Sequence, residues 1–428
     1  MKKKRTPGDD YRMRTHLIHG SFHSQHWEYS HHIIPPMSAS AAYRLDSVQR
    51  GAHGFVQFGT HSQSEAPIFI YDRLDEPTRG LLEENLAYAE RGEIAVCFAS
   101  GMAAISAALG VTLKSGDQIL AHHTLYGCTY SLLTKWLPRL QIESQFVDLR
   151  SIENLGKSIE DKTRVVYLET PVNPTLDLID IAEIRRDLDK INQNRENKIL
   201  LIVDNTFATP YCQRPISLGA DLVVHSLTKN IGGFGTDMGG VVVASKAYEE
   251  SLLMYRKDFG GVLSPKNAWP ILVYGLPTLA SRVANQQKSA LKVAQFLEGH
   301  PKISQVVYPG LSSFQQAELA RRQMTSYDGK FAPGSMLYFV LAGTTNEAAN
   351  AAEKFINYIA EKAYSITLAV SLGQIRTLIE EPYSMTHSAL PDELKMNKGM
   401  DPGGIWISIG LEDWHDIIQD LKDALSII

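Results

Sequence analysis

Short apolar runs separated by helix-length polar segments dominate the chain between residues 94 and 243. Ile94-Ala95-Val96-Cys97-Phe98, Ile119-Leu120, Gln145 to Val147, Val165 to Leu168, Ile199 to Val203, Leu222 to Val224 and Val241 to Val243 are of strand length. Their continuous apolar character, rather than alternation, predicts strands buried on both faces. Ahead of the first strand, Leu82, Leu86 and Ala89 recur at helical spacing with Glu83 and Glu84 between them. This order predicts an α/β fold in which helices cover a mostly parallel sheet. The texture changes near Pro270, where a long helical stretch to Gly299 is followed by a Pro309-Gly310 turn and by strands at Ser335 to Leu341 and Ile405 to Ile409. A second, smaller α+β domain is the expectation there. Residues 1–65 show little periodicity and read as an irregular arm lying on a partner subunit. Three units follow: an arm over 1–65, a large domain over 66–270 and a small domain over 271–428.

Composition narrows the function classes. With 428 residues the chain exceeds one hydrophobic core. Its 42 basic and 47 acidic side chains give a net charge of −5, which offers a nucleic acid no electrostatic support. Three scattered cysteines, Cys97, Cys128 and Cys212, are too few for a disulfide framework, so a reducing cytoplasm is expected. The opening Met1-Lys2-Lys3-Lys4-Arg5 lacks the apolar segment of a signal peptide, and no apolar stretch of about 20 residues follows it. The adjacent pairs His31-His32 and His122-His123 would point to opposite faces of a strand, an argument against joint metal ligation.

Chemistry concentrates where the strand Leu222 to Val224 runs into His225-Ser226-Leu227-Thr228-Lys229, with glycines at 232, 233, 235, 239 and 240 close behind. Hydroxyls at a strand's mouth can donate to a phosphate, and glycines let backbone approach a planar ligand. A lysine held there and partly desolvated can condense with an aldehyde. Alone, this pattern is usually just a loop with a solvated lysine. A second strand upstream ends in Asp204, a carboxylate at the carboxyl edge where open α/β sheets bind ligands. Pyridoxal 5'-phosphate needs such an acid to keep its ring nitrogen protonated.

Seven ordered strings, Tyr71-Asp72-Arg73, Ser100-Gly101-Met102-Ala103-Ala104, Leu125-Tyr126-Gly127, Glu169-Thr170-Pro171 with Asn173-Pro174, Val203-Asp204-Asn205-Thr206, Ser226 to Lys229 and Ser384-Met385-Thr386-His387, span nearly the whole chain. In these the sequence resembles the cysteine and methionine metabolism family of pyridoxal-phosphate enzymes. The resemblance implies a fold type I (aspartate-aminotransferase-like) architecture and a soluble homotetramer built from dimers with shared active sites. It implies that Ser100, Gly101, Met102, Ser226 and Thr228 hold the cofactor phosphate, that Tyr71 and Arg73 reach the phosphate of a neighbouring subunit, and that Asn173 bonds the ring hydroxyl. It makes Lys229 the cofactor lysine and base, and Tyr126 the ring-stacking residue that serves as general acid if the adjacent cofactor charges lower its pKa.

Within the family, Cys128 after Tyr126-Gly127 and Arg256-Lys257-Asp258 before Val262-Leu263-Ser264-Pro265 resemble methionine γ-lyase, implying γ-elimination on a sulfur-containing amino acid. Ser226-Leu227-Thr228-Lys229 resembles a homoserine-ester sulfhydrylase instead, which keeps γ-replacement open. Two departures stand out. Trp406 occupies a position that is normally the arginine clamping the substrate carboxylate, and Arg376 occupies one that is commonly glutamate. The expectation is that Arg376 replaces the lost clamp, with Ser371, Trp406 and Cys128 completing the substrate pocket. A cofactor-binding protein with little catalysis is the remaining alternative.

Overall fold

The computed structural model describes residues 12–20, 32–58, 68–385, 395 and 400–428. Thr386, His387, His31 and the basic opening residues lie outside them. The predicted strands form: β1 (Ile94–Phe98), β2 (Gln118–His122), β3 (Glu143–Val147), β4 (Thr163–Glu169), β5 (Leu200–Asp204), β6 (Leu222–Ser226) and β7 (Gly240–Ala244) make one seven-stranded sheet in the order β1-β7-β6-β5-β4-β2-β3. β2 to β6 pair in parallel, while β7 runs antiparallel to both of its neighbours. Leu201 and Val203 of β5 join one apolar cluster and Ile202 the other, so each strand feeds cores on both faces. That double burial is why these strands read as continuous apolar runs.

Register then decides which residues share the carboxyl edge of the sheet. Glu169 pairs with Asp204, and Ser226 pairs with Gly240. A Cβ on Gly240 would lie 2.1 Å from the Ser100 carbonyl oxygen, so only glycine lets β7 approach the start of the next helix this closely.

The second sheet contains β8 (Ile303–Val307), β9 (Met336–Leu341), β10 (Ile366–Leu368), β11 (Thr377–Glu380) and β12 (Gly404–Ser408) in the order β10-β11-β12-β9-β8. Its apolar face closes a third core around Phe339, Phe355, Ile405 and Ile407. The sequence boundary at 270 falls inside a nearly continuous helical run, Pro265–Pro270, Ile271–Gly275 and Leu276–Glu298. Leu279 and Val283 of this run pack into the large-domain core, whereas Ala290, Val293 and Leu297 pack into the small one.

Helix α1 (Met13–His19) and helix α2 (Val48–Gln57) lie within the stretch read as an irregular arm. In α2 the apolar Val48, Ala52, Phe55 and Val56 recur at helical spacing, a pattern the sequence reading passed over, and Val48, Phe55 and Val56 are exposed on this chain. In α1, His16 and Leu17 carry the burial, and the His16 ring stacks on Tyr88, with centroids 3.4 Å apart. Tyr88 belongs to α3 (Pro77–Glu90), which starts where Glu76 accepts from the Thr78 and Arg79 amides. Among the described residues, no helix is long and apolar enough to cross a membrane.

Candidate active site

A cavity of about 260 Å³ opens where the carboxyl edge of the large sheet meets the second sheet. From the large domain it takes Ser100, Gly101, Met102, Tyr126, Glu169, Asn173, Asp204, Thr206, Ser226, Thr228 and Lys229. Val370, Ser371, Leu372, Glu380 and Trp406 close it from the other side.

Each of these side chains is placed by a local cause. Ser100 caps helix α4 (Gly101–Thr112) by accepting the Ala103 amide at 3.2 Å, which leaves the first turn's remaining amides at the cavity wall. Gly101 is needed because a Cβ there would meet Ser226 Cβ at 2.9 Å. Thr228 Oγ1 exchanges hydrogen bonds with the backbone of Gly239, tying the lysine loop to β7. The backbone amide of Thr206 donates to Asp204 at 2.9 Å. Burial raises the Asp204 pKa, and the hydrogen bonds from Thr206 oppose that rise. Such a carboxyl is suited to a cationic partner arriving from the cavity.

Lys229 Nζ donates to Ser371 Oγ at 2.9 Å, and Ser371 holds the unusual backbone φ of 122° for a non-glycine residue. Burial lowers the Lys229 pKa, while the charge of Glu380 acts in the other direction. The lowered value enlarges the neutral, nucleophilic fraction of the amine. The Tyr126 amide donates to both Glu169 oxygens, at 3.0 and 3.1 Å. With no cofactor charge beside it, burial pushes the Tyr126 phenol up, and Cys128 reinforces the shift. The phenol is therefore fully protonated at neutral pH and carries a proton to give.

The residues present fit pyridoxal phosphate. A helix N-terminus with neighbouring hydroxyls suits a phosphate, a carboxyl with a raised pKa suits a protonated ring nitrogen, and a desolvated amine stands close by.

Two residues expected in this pocket, Arg376 and Cys128, do not line it, and Tyr71 and Arg73, expected at a neighbouring subunit's site, lie outside it as well. Arg376 is exposed and precedes β11, whereas Glu380, at the other end of that strand, reaches the cavity. Four residues of extended chain separate the two by roughly 13 Å, so Arg376 does not take over the lost clamp. Cys128 is exposed and reaches the Tyr126 phenol instead of the cavity. Tyr71 is 44% exposed, and the Arg73 guanidinium lies 5.5 Å from its ring while donating to the Lys257 carbonyl. Sequence reading also passed over Glu380, although, like Asp204, it is an acid that ends a buried strand.

His122, His123 and Asp148 gather within 4.8 Å of one another, contrary to the opposite-face argument. His122 is the last residue of β2 and His123 lies past it, so strand alternation no longer applies and the rings stand 4.4 Å apart. Both Asp148 oxygens are engaged by Arg150.

The sequence profile described as Cys/Met metabolism PLP-dependent enzyme matches residues 14–426. The chain belongs to this family. It is 40% identical over 395 residues to an L-methionine gamma-lyase of Fusobacterium nucleatum subsp. polymorphum, covering 92% of this chain and 93% of that protein. It is 39% identical over 373 residues to a cystathionine gamma-lyase of Bacillus subtilis, covering 86% and 92% of the two chains. A crystal structure of cystathionine gamma-lyase from Lactobacillus plantarum complexed with L-serine superposes with a TM-score of 0.83 at 30% identity, covering 97% of this chain and 99% of that one. Membership of the family establishes a pyridoxal-phosphate-dependent enzyme with the fold type I architecture read from the sequence.

Proposed function

We propose that this enzyme breaks the γ carbon–sulfur bond of a sulfur-containing amino acid by elimination, releasing a thiol, ammonia and a 2-oxo product. One observation carries the reading: a desolvated lysine amine and a protonated phenol, Lys229 and Tyr126, line the same cavity. Relatives named methionine and cystathionine gamma-lyase support it.

Pyridoxal phosphate, when bound, supplies a ring that withdraws electrons from the substrate's Cα. Ser100, Gly101, Ser226 and Thr228 would hold its phosphate, Asn173 its ring hydroxyl and Asp204 its ring nitrogen. The Lys229 amine would take the proton from Cα as general base. Tyr126, protonated in the cavity wall, gives its proton to the departing sulfur. Met102 and Trp406 keep water from the reacting atoms by apolar contact. Tyr71 and Arg73, exposed on this chain, complete the phosphate site of a second copy in a homotetramer of two such pairs. Three free thiols, two of them buried, agree with a reducing, cytoplasmic setting.

The test is thiol and 2-oxo product release by purified, cofactor-loaded protein supplied with γ-thioether substrates. Equal amounts of the two products are expected. Product formed only from O-acetylhomoserine with sulfide would replace elimination by γ-replacement.

A further inference from the structure

Away from the cavity, a second polar assembly joins the strands that carry Asp204 and Ser226. Its members Glu90, Asn205, Gln213 and His225 are at most 1% exposed, and none of them lines the cavity. In the chain, however, Asn205 lies between Asp204 and Thr206, and His225 precedes Ser226, all three of which do line it.

Glu90, the last residue of α3, receives hydrogen bonds from both neighbours. A carboxylate only accepts, so the His225 hydrogen sits on Nε2, which donates to Glu90 Oε2 at 2.8 Å. Asn205 Nδ2 donates to the same oxygen at 3.2 Å and to the Gln213 carbonyl at 3.0 Å. Gln213 Nε2 donates in turn to Asn205 Oδ1 and to the Thr170 carbonyl, each at 3.0 Å. Thr170 stands between Glu169 and Pro171 of the cavity wall. One connected network therefore reaches the carboxyl ends of β4, β5 and β6, and Glu90 is its bridge from β5 to β6.

The β5–β6 ladder ends with Asp204 opposite Val224, and the Asn205 amide adds a bond to the Val224 carbonyl at 2.9 Å. Past that point side chains take over. Thr206 Oγ1 accepts the Ser226 amide at 2.9 Å at the cavity, and Glu90 joins the same two segments away from it. Burying a carboxylate is costly, and a network that satisfies it holds its members rigidly. The rigidity falls where a cofactor has to meet two strand ends at once.

We infer that Glu90 is a positioning residue of the cofactor site: through Asn205 and His225 it fixes the separation between the Asp204 carboxyl, which would meet the ring nitrogen, and the Ser226 to Lys229 segment, which would hold the phosphate and present the amine. This role rests on the cofactor that family membership establishes, and not on which bond the enzyme breaks.

Full-length apoprotein of each variant is titrated with pyridoxal phosphate, and the visible circular dichroism of the bound cofactor, which reports how its ring is held, is recorded beside the far-ultraviolet signal of folding. Glu90→Leu keeps the bulk and removes both acceptor oxygens; it should raise the cofactor Kd by about tenfold and weaken the visible band. Glu90→Gln keeps an acceptor for the two donors and should stay within about threefold of the wild type. A folded Glu90→Leu protein with wild-type Kd and band, or a glutamine variant as impaired as the leucine one, overturns the role. If Glu90→Leu does not fold, two variants of the other partner decide. His225→Gln can donate from the place of Nε2, whereas the shorter side chain of His225→Asn falls short of Glu90. Retention of cofactor affinity in the first with a loss of about tenfold in the second upholds the role, and equal constants overturn it.

Discussion

At Lys229, chemistry and environment act together. Desolvation lowers its pKa, so the amine sheds its proton at a lower pH than a free lysine would. Lys229→Ala should reduce thiol release by roughly 10²- to 10⁴-fold, the usual worth of a positioned base. Added methylamine should restore part of the rate if the missing group is an amine and not a structural prop. Rates of the variant with and without the amine provide the check. Trp406 shows how a departure from a motif can be legible while its meaning is not. The sequence exposes the missing arginine, yet it gives no hint that Glu380 faces the tryptophan, because that depends on the register of β11 against β12. Arg376 reads as the substitute clamp because it stands where the family commonly has glutamate; the length of an extended strand removes it from the wall.

At the scale of elements, buried guanidiniums hold the segment that carries Tyr71 and Arg73. Arg256 donates to Glu83 and to the Leu74 carbonyl, while Arg79 donates to Asp72 at 2.7 Å and to the Leu263 carbonyl at 3.0 Å. Both arginines are fully buried. Arg256→Met leaves Glu83 without its charge partner, and stability should fall by about 3–5 kcal/mol. The double variant Arg256→Met with Glu83→Leu should recover most of that loss, which urea unfolding of the two variants would show. From sequence, Arg256 had value only as a point of resemblance; its structural task depends on contacts 173 and 182 residues away along the chain. The strands of the large sheet, in contrast, were legible because double burial writes itself as uninterrupted Val, Ile and Leu. Helix α1 of the arm was not, since its burial rests on little more than Leu17 and a histidine.

Across the whole molecule, that histidine makes arm docking sensitive to acid. Burial lowers the His16 pKa from 6.5 to about 4. A group whose folded pKa is depressed contributes its stability above the unfolded value and loses it as pH falls toward the folded one. The contribution should thus be complete above pH 6.5 and lost progressively between there and pH 4. His16→Phe, which keeps the stack on Tyr88 without a titrating ring, should flatten the melting temperature over that interval. Melting curves of both proteins across the window decide it.

The helical run from Pro265 to Glu298 carries a different consequence. Since one rod supplies apolar residues to the large core at Leu279 and Val283 and to the small core at Ala290 and Val293, neither core is complete without it. Melting either one frays the scaffold of the other, so the chain behaves as one cooperative unit and not as two modules on a hinge. The seam that this rod braces is the seam where the cavity lies, and loss of the small sheet would therefore dismantle the catalytic pocket even with every residue of the large sheet in place.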